Sequence, residues 1–373
     1  MIREPLALAT AVVALAGISF WLGGRFAWAR KLSPTLLVIL LGAALSNAGL
    51  VAAKSPVYAF IAGPLTSLAI VWLLLAVDLR DLRRAGPRML AAFGLGVLGT
   101  VLGALAATVA FRSSFGADAW KLAGTLTGTY SGGGLNFVAV GRAVELPEGL
   151  FAAATAADNV LTAVWIGATL VLPVWLGRYY VQAPAAPEGR KPQDFHALLE
   201  SARFSLSSLG ALAALGLGLV LAAENVAAYL PGPTIIWLTT LALLAGHLPM
   251  VRRLEGALFL GTFALTLFFA VLGIWSRVAE VLAVGVEVFY FTALVVLVHG
   301  VVIYGGARLL RLDIETTSVA SQAAVGGPST ALALAVSRER SELALPGTVV
   351  GLLGYAIGNY AGLTVAALVR SLG

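Results

Sequence analysis

The chain has 373 residues, of which 60% are hydrophobic and 11% are charged, whereas a soluble domain usually carries about 25% charged residues. Its net charge of +6 at pH 7 does not indicate a nucleic-acid partner, because the basic residues are spread over short connections and not gathered on one polar face. The absence of cysteine excludes disulfides and thiolate metal sites.

Apolar segments make up most of the chain, each about 17 to 30 residues long, which is the length that crosses roughly 30 Å of hydrocarbon. We interpret the first segment as a span and not as a cleaved signal peptide, because no small-residue cleavage pattern follows it. The sequence therefore predicts an all-α polytopic membrane protein. The segments are residues 5–26, 34–53, 58–79, 88–111, 120–144, 150–176, 204–230, 233–251, 256–275, 279–309, 314–336 and 345–369.

One long polar stretch, residues 177–203, interrupts the apolar segments. It holds Pro184, Pro187 and Pro192 among mixed charges, and such a composition is typical of a linker. We therefore expect a first membrane repeat at 1–176, with an extra N-terminal helix, then the linker 177–203 and a second membrane repeat at 204–373.

Each half contains a segment that is interrupted by glycines. The first interruption is Tyr-Ser-Gly-Gly-Gly-Leu-Asn at 130–136, and the second is Ala-Val-Gly-Gly-Pro-Ser-Thr at 324–330. Paired breaks at corresponding positions are typical of transporters built from repeats. If the broken segments cross, their half-helix ends offer partial positive charge to an anion and free carbonyls to Na⁺. The alternative is that the glycines only permit close helix packing.

Loop charges bear on the topology, because basic loops usually face the cytoplasm. If all twelve segments crossed, the basic loops of the two halves would face opposite sides. The conflict disappears if one segment between Arg88 and Arg252 is not a simple span, or if one long segment hides two. Either change in the number of membrane crossings also makes the two broken helices antiparallel. We therefore predict inverted repeats, with parallel repeats as the alternative. The basic residues are Arg25, Arg30, Lys31, Arg80, Arg83, Arg84 and Arg88 in the first half, and Arg252, Arg253, Arg308 and Arg311 in the second.

Asp158 and Asn159 lie about nine residues into the sixth segment, roughly 13 Å along a helix. An intramembrane carboxylate is a functional candidate, so we predict both residues as candidate Na⁺ ligands, or Asp158 as a proton carrier. The alternative is a structural hydrogen bond at the end of the broken helix. Glu287 and His299 in the tenth segment are a less favoured relay.

The predicted substrate-binding and ion-binding residues share a position in or beside the two breaks, or at the matching place in the last segment. Asn359, at that matching place, can coordinate a cation but cannot titrate. The set is Thr129, Ser131, Gly132, Gly133, Gly134, Asn136, Asp158, Asn159, Gln322, Gly326, Gly327, Ser329, Thr330 and Asn359.

Motifs that would indicate another energy source are missing from the sequence. There is no phosphate-binding loop and no dinucleotide fingerprint, and His196, His247 and His299 are too scattered for a typical zinc site. We therefore expect no cofactor, and a Na⁺ or H⁺ gradient as the driving force.

Four stretches together resemble the YjcL-like family of bacterial membrane proteins, whose function is unknown. They are TLTGTYSGGGLNFVAV at 125–140, AADNV at 156–160, VGGPST at 325–330 and GYAIGN at 354–359. The family looks similar to the superfamily of cation:proton antiporters and sodium-coupled anion transporters, which includes the bile-acid symporters. That resemblance implies inverted repeats with crossed discontinuous helices, a core domain that moves against a panel domain, and a place in the bacterial inner membrane. It also allows a homodimer through the panel domain.

The resemblance also implies roles for individual residues. In the antiporter branch an acidic pair or an Asn-Asp pair follows the first broken helix, and Asp158 and Asn159 fall in that place. Asn359 falls where many electrogenic antiporters have a lysine, and the lack of that lysine favours cation-coupled symport. Gln322 and Ala324 stand where the family usually has asparagines.

We expect a Na⁺-coupled, or else H⁺-coupled, symporter of a small organic anion, amino acid or short peptide that works by alternating access. The alternative is a monovalent cation:proton antiporter with Asp158 as the shared carrier. An intramembrane enzyme is least favoured, because no second aspartate and no serine with a histidine base is apparent. The expected partners are the lipid bilayer and a small-molecule substrate, with no nucleic acid.

Overall fold

The computed structural model describes residues 2–26, 29, 34–181, 205–275, 286–338 and 340–372. Helices make up nearly all of these ranges. Those of ten or more residues are α1 (Pro5–Arg25), α2 (Pro34–Asn47), α3 (Pro56–Leu75), α4 (Leu82–Ala110), α5 (Ala119–Thr129), α6 (Gly134–Ala143), α7 (Glu148–Leu176), α8 (Leu206–Tyr229), α9 (Thr234–Gly246), α10 (Ala257–Trp275), α11 (Val286–Leu309), α12 (Ile314–Gly326), α13 (Pro328–Ser337) and α14 (Ala344–Leu372).

Among the described residues, eight helices are long and apolar enough to cross a membrane: α1, α3, α4, α7, α8, α10, α11 and α14. Two shorter apolar helices lie in α2 and α9. The strand-like pairings in these ranges are two isolated bridges, Ile2 with Val51 and Val181 with Asp313. The prediction of an all-α polytopic membrane protein is confirmed.

Most of the predicted linker lies outside the described residues, which stop at Val181 and resume at Ser205. Its first residues, Gly177–Tyr179, form a short 3₁₀ turn at the end of α7. The division into two membrane repeats around this linker stays a prediction.

The first broken segment folds back on itself and does not cross the bundle. Lys121 Nζ, near the start of α5, donates to the carbonyl oxygen of Glu145, just beyond α6, at 3.2 Å. A Cβ built on Gly141 would lie 3.2 Å from Thr125 Cγ2. In one continuous broken helix Lys121 and Glu145 would be about 36 Å apart at 1.5 Å per residue. We call α5, residues 130–133 and α6 hairpin 1.

The second broken segment, α12, Gly327 and α13, folds back in the same way, and we call it hairpin 2. Arg338 follows α13, and its Nε and Nη2 atoms donate to the carboxylate of Glu315, in the first turn of α12, at 3.1 and 2.5 Å. Segments 120–144 and 314–336 are therefore re-entrant, which corrects the expected crossed discontinuous helices. The physical reason is the turn at each break, where Gly133 (φ +91°) and Gly327 (φ +82°) take left-handed conformations that reverse the chain.

The hairpins enter the bundle from opposite ends. Helices α4 and α11 are antiparallel, since a Cβ on Gly103 would lie 2.9 Å from Val295 Cα, and one on Gly306 would lie 2.8 Å from a Leu95 methyl group. Hairpin 1 follows the C-terminal end of α4, and hairpin 2 follows the C-terminal end of α11. Inverted repeats require this arrangement. The repeat relation between the halves stays a prediction.

The re-entrance of hairpin 1 also removes the conflict in loop charges. When α2 and α9 are counted as crossings and the hairpins are not, the basic loops after α1, α3, α9 and α11 all fall on one side of the membrane. Segment 120–144 is therefore the segment between Arg88 and Arg252 that is not a simple span.

The helices pack in two groups. The panel group is α1–α3 with α8–α10, in which α2 and α3 pack on α10, and α8 and α9 pack on α3. The core group is α4, α7, α11, α14 and the two hairpins, in which α4 packs on α11 and both hairpins pack on α14. These groups correspond to the expected panel and core, and movement of one against the other stays a prediction.

Candidate functional site

The tips of the two hairpins touch each other inside the core group. A Cβ built on Gly133 would lie 3.4 Å from Gly327 Cα, and one on Gly327 would lie 3.6 Å from the carbonyl oxygen of Gly132. Both tips also press against α14, where a Cβ on Gly354 would lie 2.6 Å from Gly132 Cα and one on Gly351 would lie 2.6 Å from Pro328 N. Glycine is needed at these points because backbone meets backbone.

Two helix N-termini meet where the tips meet. Each hairpin turns at its tip, so α6 and α13 both begin there. The first N–H groups of a helix have no partner within it and carry partial positive charge. Residues 134–136 and 328–330, which include the predicted Gly134 and Ser329, occupy these two first turns. The side chain of Ser329 lies outside the described atoms, while Gly134 faces the ring of Phe269 on α10, 3.0 Å from its would-be Cβ.

Buried polar atoms without a hydrogen-bond partner are concentrated at the tips and on α14. Leaving one such atom unpaired costs about 1 to 3 kcal/mol, so a group of them indicates a place where a ligand completes the bonding. Of the nine such atoms in the described part of the chain, Ser46 Oγ, Tyr58 OH and Trp237 Nε1 lie elsewhere, and the six at the tips and on α14 are Thr129 Oγ1, Tyr130 OH, Ser131 Oγ, Asn136 Oδ1, Gln322 Nε2 and Asn359 Oδ1. The residues of this group are at most 1% exposed.

Asn136 and Asn359 both leave an amide oxygen free. Asn136 Nδ2 donates to the carbonyl oxygen of Gly354 at 2.9 Å, and Asn359 Nδ2 donates to Thr239 Oγ1 on α9 at 3.0 Å. Because each amino group is engaged, each carbonyl oxygen remains available as an acceptor. Asn136 therefore joins hairpin 1 to α14, whereas Asn359 joins α14 to α9.

Of the two predicted Na⁺ ligands, Asp158 faces hairpin 1 and Asn159 does not. Both side chains are half-buried on α7. Asp158 Oδ1 accepts a hydrogen bond from Thr162 Oγ1 at 3.3 Å, and the Tyr130 hydroxyl is close enough to interact with the carboxylate, although without normal hydrogen-bond geometry. Asn159 Nδ2 donates to the carbonyl oxygen of Thr155 in its own helix at 2.9 Å.

Gln322 lies on the inner side of hairpin 2. Its Oε1 atom accepts from Thr169 Oγ1 of α7 at 3.3 Å, and its Nε2 atom would lie 2.8 Å from a Cβ on Gly326. Thr330 Oγ1 is shared between the carbonyl oxygens of Gly327 at 3.1 Å and Gln322 at 3.2 Å. These hydrogen bonds hold the two arms of the hairpin together beside its break.

A buried polar network that no motif in the sequence indicates connects the two hairpins. His299 Nδ1 lies 2.9 Å from the carbonyl oxygen of Gly96 and 3.0 Å from Thr100 Oγ1, which donates to the carbonyl oxygen of Tyr130 at 2.9 Å. His299 Nε2 lies 2.9 Å from Ser321 Oγ on α12. The network thus runs from the tip of hairpin 1, through α4 and α11, to hairpin 2.

One pattern of hydrogens satisfies the network with a neutral histidine. Nδ1 must carry a proton, because the carbonyl oxygen of Gly96 can only accept. Nε2 then accepts from the Ser321 hydroxyl, whose oxygen accepts from Trp165 Nε1 at 3.0 Å. His299 therefore holds the hairpins as a neutral hydrogen-bonding side chain. Glu287 is exposed about three turns away along α11, so it does not form the considered relay with His299.

In the sequence, Thr100 and His299 are each distinguished only as a single polar residue within an apolar segment. Among the described side chains, no group of three or more His, Cys, Asp or Glu residues could hold a metal ion. The site consists instead of neutral hydroxyl and amide groups, the half-buried carboxylate of Asp158, and helix ends.

Comparison with known proteins gives two findings. Residues 10–372 match a family described as "Protein of unknown function (DUF819)". The uncharacterized membrane protein YjcL of Bacillus subtilis (strain 168) is 28% identical over 366 residues, which cover 93% of this chain and 92% of the relative. The matched region includes both hairpins, α7 and α14.

Proposed function

The chain belongs to the DUF819 family of proteins of unknown function, and from this premise and its paired hairpins we propose that it is a secondary active transporter. The observation that carries the proposal is the contact between Gly133 and Gly327, where two re-entrant hairpins from opposite ends meet. Non-helical backbone at membrane depth is tolerated where protein buries it or where it lines a wet cavity. Secondary transporters bind solutes at such helix breaks near the membrane midplane.

The hairpins support alternating access for a geometric reason. Each tip belongs to a segment anchored at one face of the membrane, so displacement of the core group along the panel group would open the shared site first to one side and then to the other. Within the described residues the polar contacts between the groups are local, such as Arg142 Nη1 donating to the carbonyl oxygen of Gly63 in α3 at 3.1 Å and Asn359 Nδ2 donating to Thr239 Oγ1 at 3.0 Å. Such contacts can be exchanged during movement.

We propose Na⁺-coupled or H⁺-coupled symport of a small organic anion, amino acid or short peptide as the mode of transport. The unpaired oxygens of Ser131 and Asn136 suit a monovalent cation, since hard cations prefer oxygen ligands. The helix N-termini at both tips suit an anionic group. Energy would come from the ion gradient, without a cofactor.

The second candidate is a monovalent cation:proton antiporter, which the position of Asp158 favours. Its half-buried carboxylate beside the Tyr130 hydroxyl could bind a proton or a cation in turn. In that case no organic solute would bind at the tips.

We propose that the protein does not act as an enzyme, although His299 and Ser321 form a hydrogen-bonded pair on neighbouring helices. Both side chains are 0% exposed, and the Ser321 oxygen also accepts from Trp165. A substrate carbonyl has no access to that oxygen in this arrangement. Labelling of Ser321 by a fluorophosphonate probe would contradict this view.

The site of action we propose is the bacterial cytoplasmic membrane, with the lipid bilayer and a small solute as partners. A homodimer through the panel group, α1–α3 with α8–α10, is part of the same proposal.

A screen for thermal stabilisation of the purified protein tests the proposal, because a ligand that binds only the folded state raises stability by mass action. A Na⁺-dependent organic ligand that is then accumulated by proteoliposomes would support symport. Stabilisation by cations alone, with proton-coupled cation flux, would favour the antiporter. Failure to move any solute or ion under an imposed gradient would contradict transport.

A further inference from the structure

The two tips differ in the kind of polar atom that they leave unpaired. At hairpin 1 the unpaired atoms of Thr129, Ser131 and Asn136 are oxygens. Among the described side chains of hairpin 2, the unpaired atom is the amide nitrogen of Gln322, which can only donate. A ligand group that satisfies hairpin 2 must therefore accept hydrogen bonds.

The Gln322 amide lies between Thr169 of α7 and the break of hairpin 2. Its oxygen faces Thr169 Oγ1 at 3.3 Å, a hydroxyl that also donates to the carbonyl oxygen of Ile166 at 3.0 Å, and its NH₂ group is on the side of the break. There a Cβ on Gly326 would lie 2.8 Å from Nε2. The residue is 0% exposed, so the NH₂ group is directed into the protein and not into bulk water.

The same break presents the N-terminus of a ten-residue helix, α13. Pro328 opens it without an N–H, and the first return hydrogen bond runs from Ala331 N to the carbonyl oxygen of Gly327 at 3.2 Å. The N–H groups of residues 329 and 330 precede that bond and have no partner within the helix. Gln322 and the start of α13 thus form a patch of donors with partial positive charge.

Full charges are absent from this part of hairpin 2. Residues 316–337 contain no Lys, Arg, His, Asp or Glu. Asp313 and Glu315 lie at the base, where Asp313 caps α12 and Glu315 pairs with Arg338. Neutral donors and one helix end suit a singly charged planar group better than a doubly charged phosphate.

We propose that the tip of hairpin 2 is a carboxylate-binding subsite, in which Gln322 Nε2 and the first N–H groups of α13 hold the anionic end of the solute. Its role in transport rests on the proposed function, whereas binding of a carboxylate does not. Gln322 is then the residue that distinguishes an acid from its neutral amide.

Acetate and acetamide are suitable probes, because they differ in charge but hardly in shape. Saturation-transfer NMR on the full protein in lipid nanodiscs measures the binding of each at millimolar concentration. For the wild type we expect binding of acetate and clearly weaker binding of acetamide. Loss of one hydrogen bond to a charged group should weaken acetate binding about tenfold in Gln322→Leu. The isosteric Gln322→Glu should abolish it, because it places a carboxylate against the anion.

Asn225→Leu on α8 is the matched control, since its amide only donates to the carbonyl oxygen of Leu221 in its own helix at 2.8 Å. This variant should bind acetate like the wild type. Folding of each variant is checked by its thermal unfolding, and Gln322→Asn, which keeps a shorter donor, replaces Gln322→Leu if the latter does not fold. Undiminished acetate binding in the Gln322 variants, equal binding of acetamide, or no acetate binding by the wild type would overturn the subsite.

The experiment separates this inference from the proposed function. If acetate binding depends on Gln322 but proteoliposomes accumulate no solute, the subsite stands and transport fails. If proteoliposomes accumulate a solute but acetate binding is the same in the wild type and the Gln322 variants, transport stands and the subsite fails.

Discussion

Arg338 and Glu315 join the two arms of hairpin 2 at its base through two parallel hydrogen bonds, of 3.1 Å from Nε and 2.5 Å from Nη2. Glu315 is 8% exposed, so the pair is largely removed from solvent. Paired, bidentate geometry of this kind is the strongest form of an arginine–carboxylate contact. At hairpin 1 the corresponding base is held by Lys121, which bonds to the carbonyl oxygen of Glu145 and pairs with Asp118 at 3.0 Å.

Because the two ends of each hairpin are held together at its base, both ends should be accessible to labelling from the same face of the membrane. Because the chain has no cysteine, single cysteines can be introduced at the exposed positions Ala117, Glu148, Arg311 and Ser337. A membrane-impermeant maleimide should label Ala117→Cys and Glu148→Cys from one face, and Arg311→Cys and Ser337→Cys from the other. Right-side-out and inverted vesicles give the comparison. Labelling of the two members of a pair from opposite faces would mean that the segment between them crosses the membrane.

Replacing Gly133 or Gly327 with leucine should abolish transport while the protein still inserts in the membrane. An L-residue at the positive φ and extended ψ of these two glycines costs about 1 to 3 kcal/mol, and the new side chain would fill the space where the tips touch. Gly167→Leu on α7 is the control, because nothing lies within 4 Å of its would-be Cβ. Uptake by proteoliposomes is measured for all three variants. Normal uptake by Gly133→Leu or Gly327→Leu would show that the tips do not form the site.

Changing Asp158 to asparagine keeps the shape of the side chain and removes its charge. We expect the variant to fold and insert but to lose coupling, so that accumulation against a gradient disappears while weak solute binding persists. Uptake with and without an imposed Na⁺ or H⁺ gradient checks this. An undiminished response to the gradient would make Asp158 structural and would place coupling at the hairpin oxygens alone.

Substitution of His299 should lower stability without changing the dependence of transport on pH. Asparagine can reproduce the donor at Nδ1 and glutamine the contact at Nε2, so each variant should lose one side of the network, at a cost of about 1 to 3 kcal/mol for the group left unpaired. Thermal unfolding and a pH profile of uptake are the measurements. A pH profile that shifts in His299→Asn and His299→Gln alike would indicate that His299 titrates and takes part in proton transfer.

The sequence predicted the helices and the two breaks, because apolar length and glycine runs are local properties. It could not predict re-entrance, since 120–144 and 314–336 are each long enough to span a membrane. Their direction depends on the turns at Gly133 and Gly327 and on contacts such as Arg338 with Glu315, which are distant in sequence.

The arrangement of the predicted site residues could be predicted only in part, for the same reason. Tip residues such as Ser131 and Gln322 follow from the breaks themselves. The orientation of Asn159 towards its own helix, and the bonding of His299 to both hairpins, depend on which side of a helix each residue occupies after packing. Neither could be derived without the positions of the neighbouring helices.

The most direct test of alternating access at the tips is the labelling of Ser131→Cys in this cysteine-free chain, since Ser131 is 0% exposed at the point where the hairpins meet. We predict that a membrane-impermeant thiol reagent reacts with it slowly from either face, in right-side-out and in inverted vesicles, because the core group presents the tips to each side in turn. Reaction from one face only, or from neither, would contradict the account.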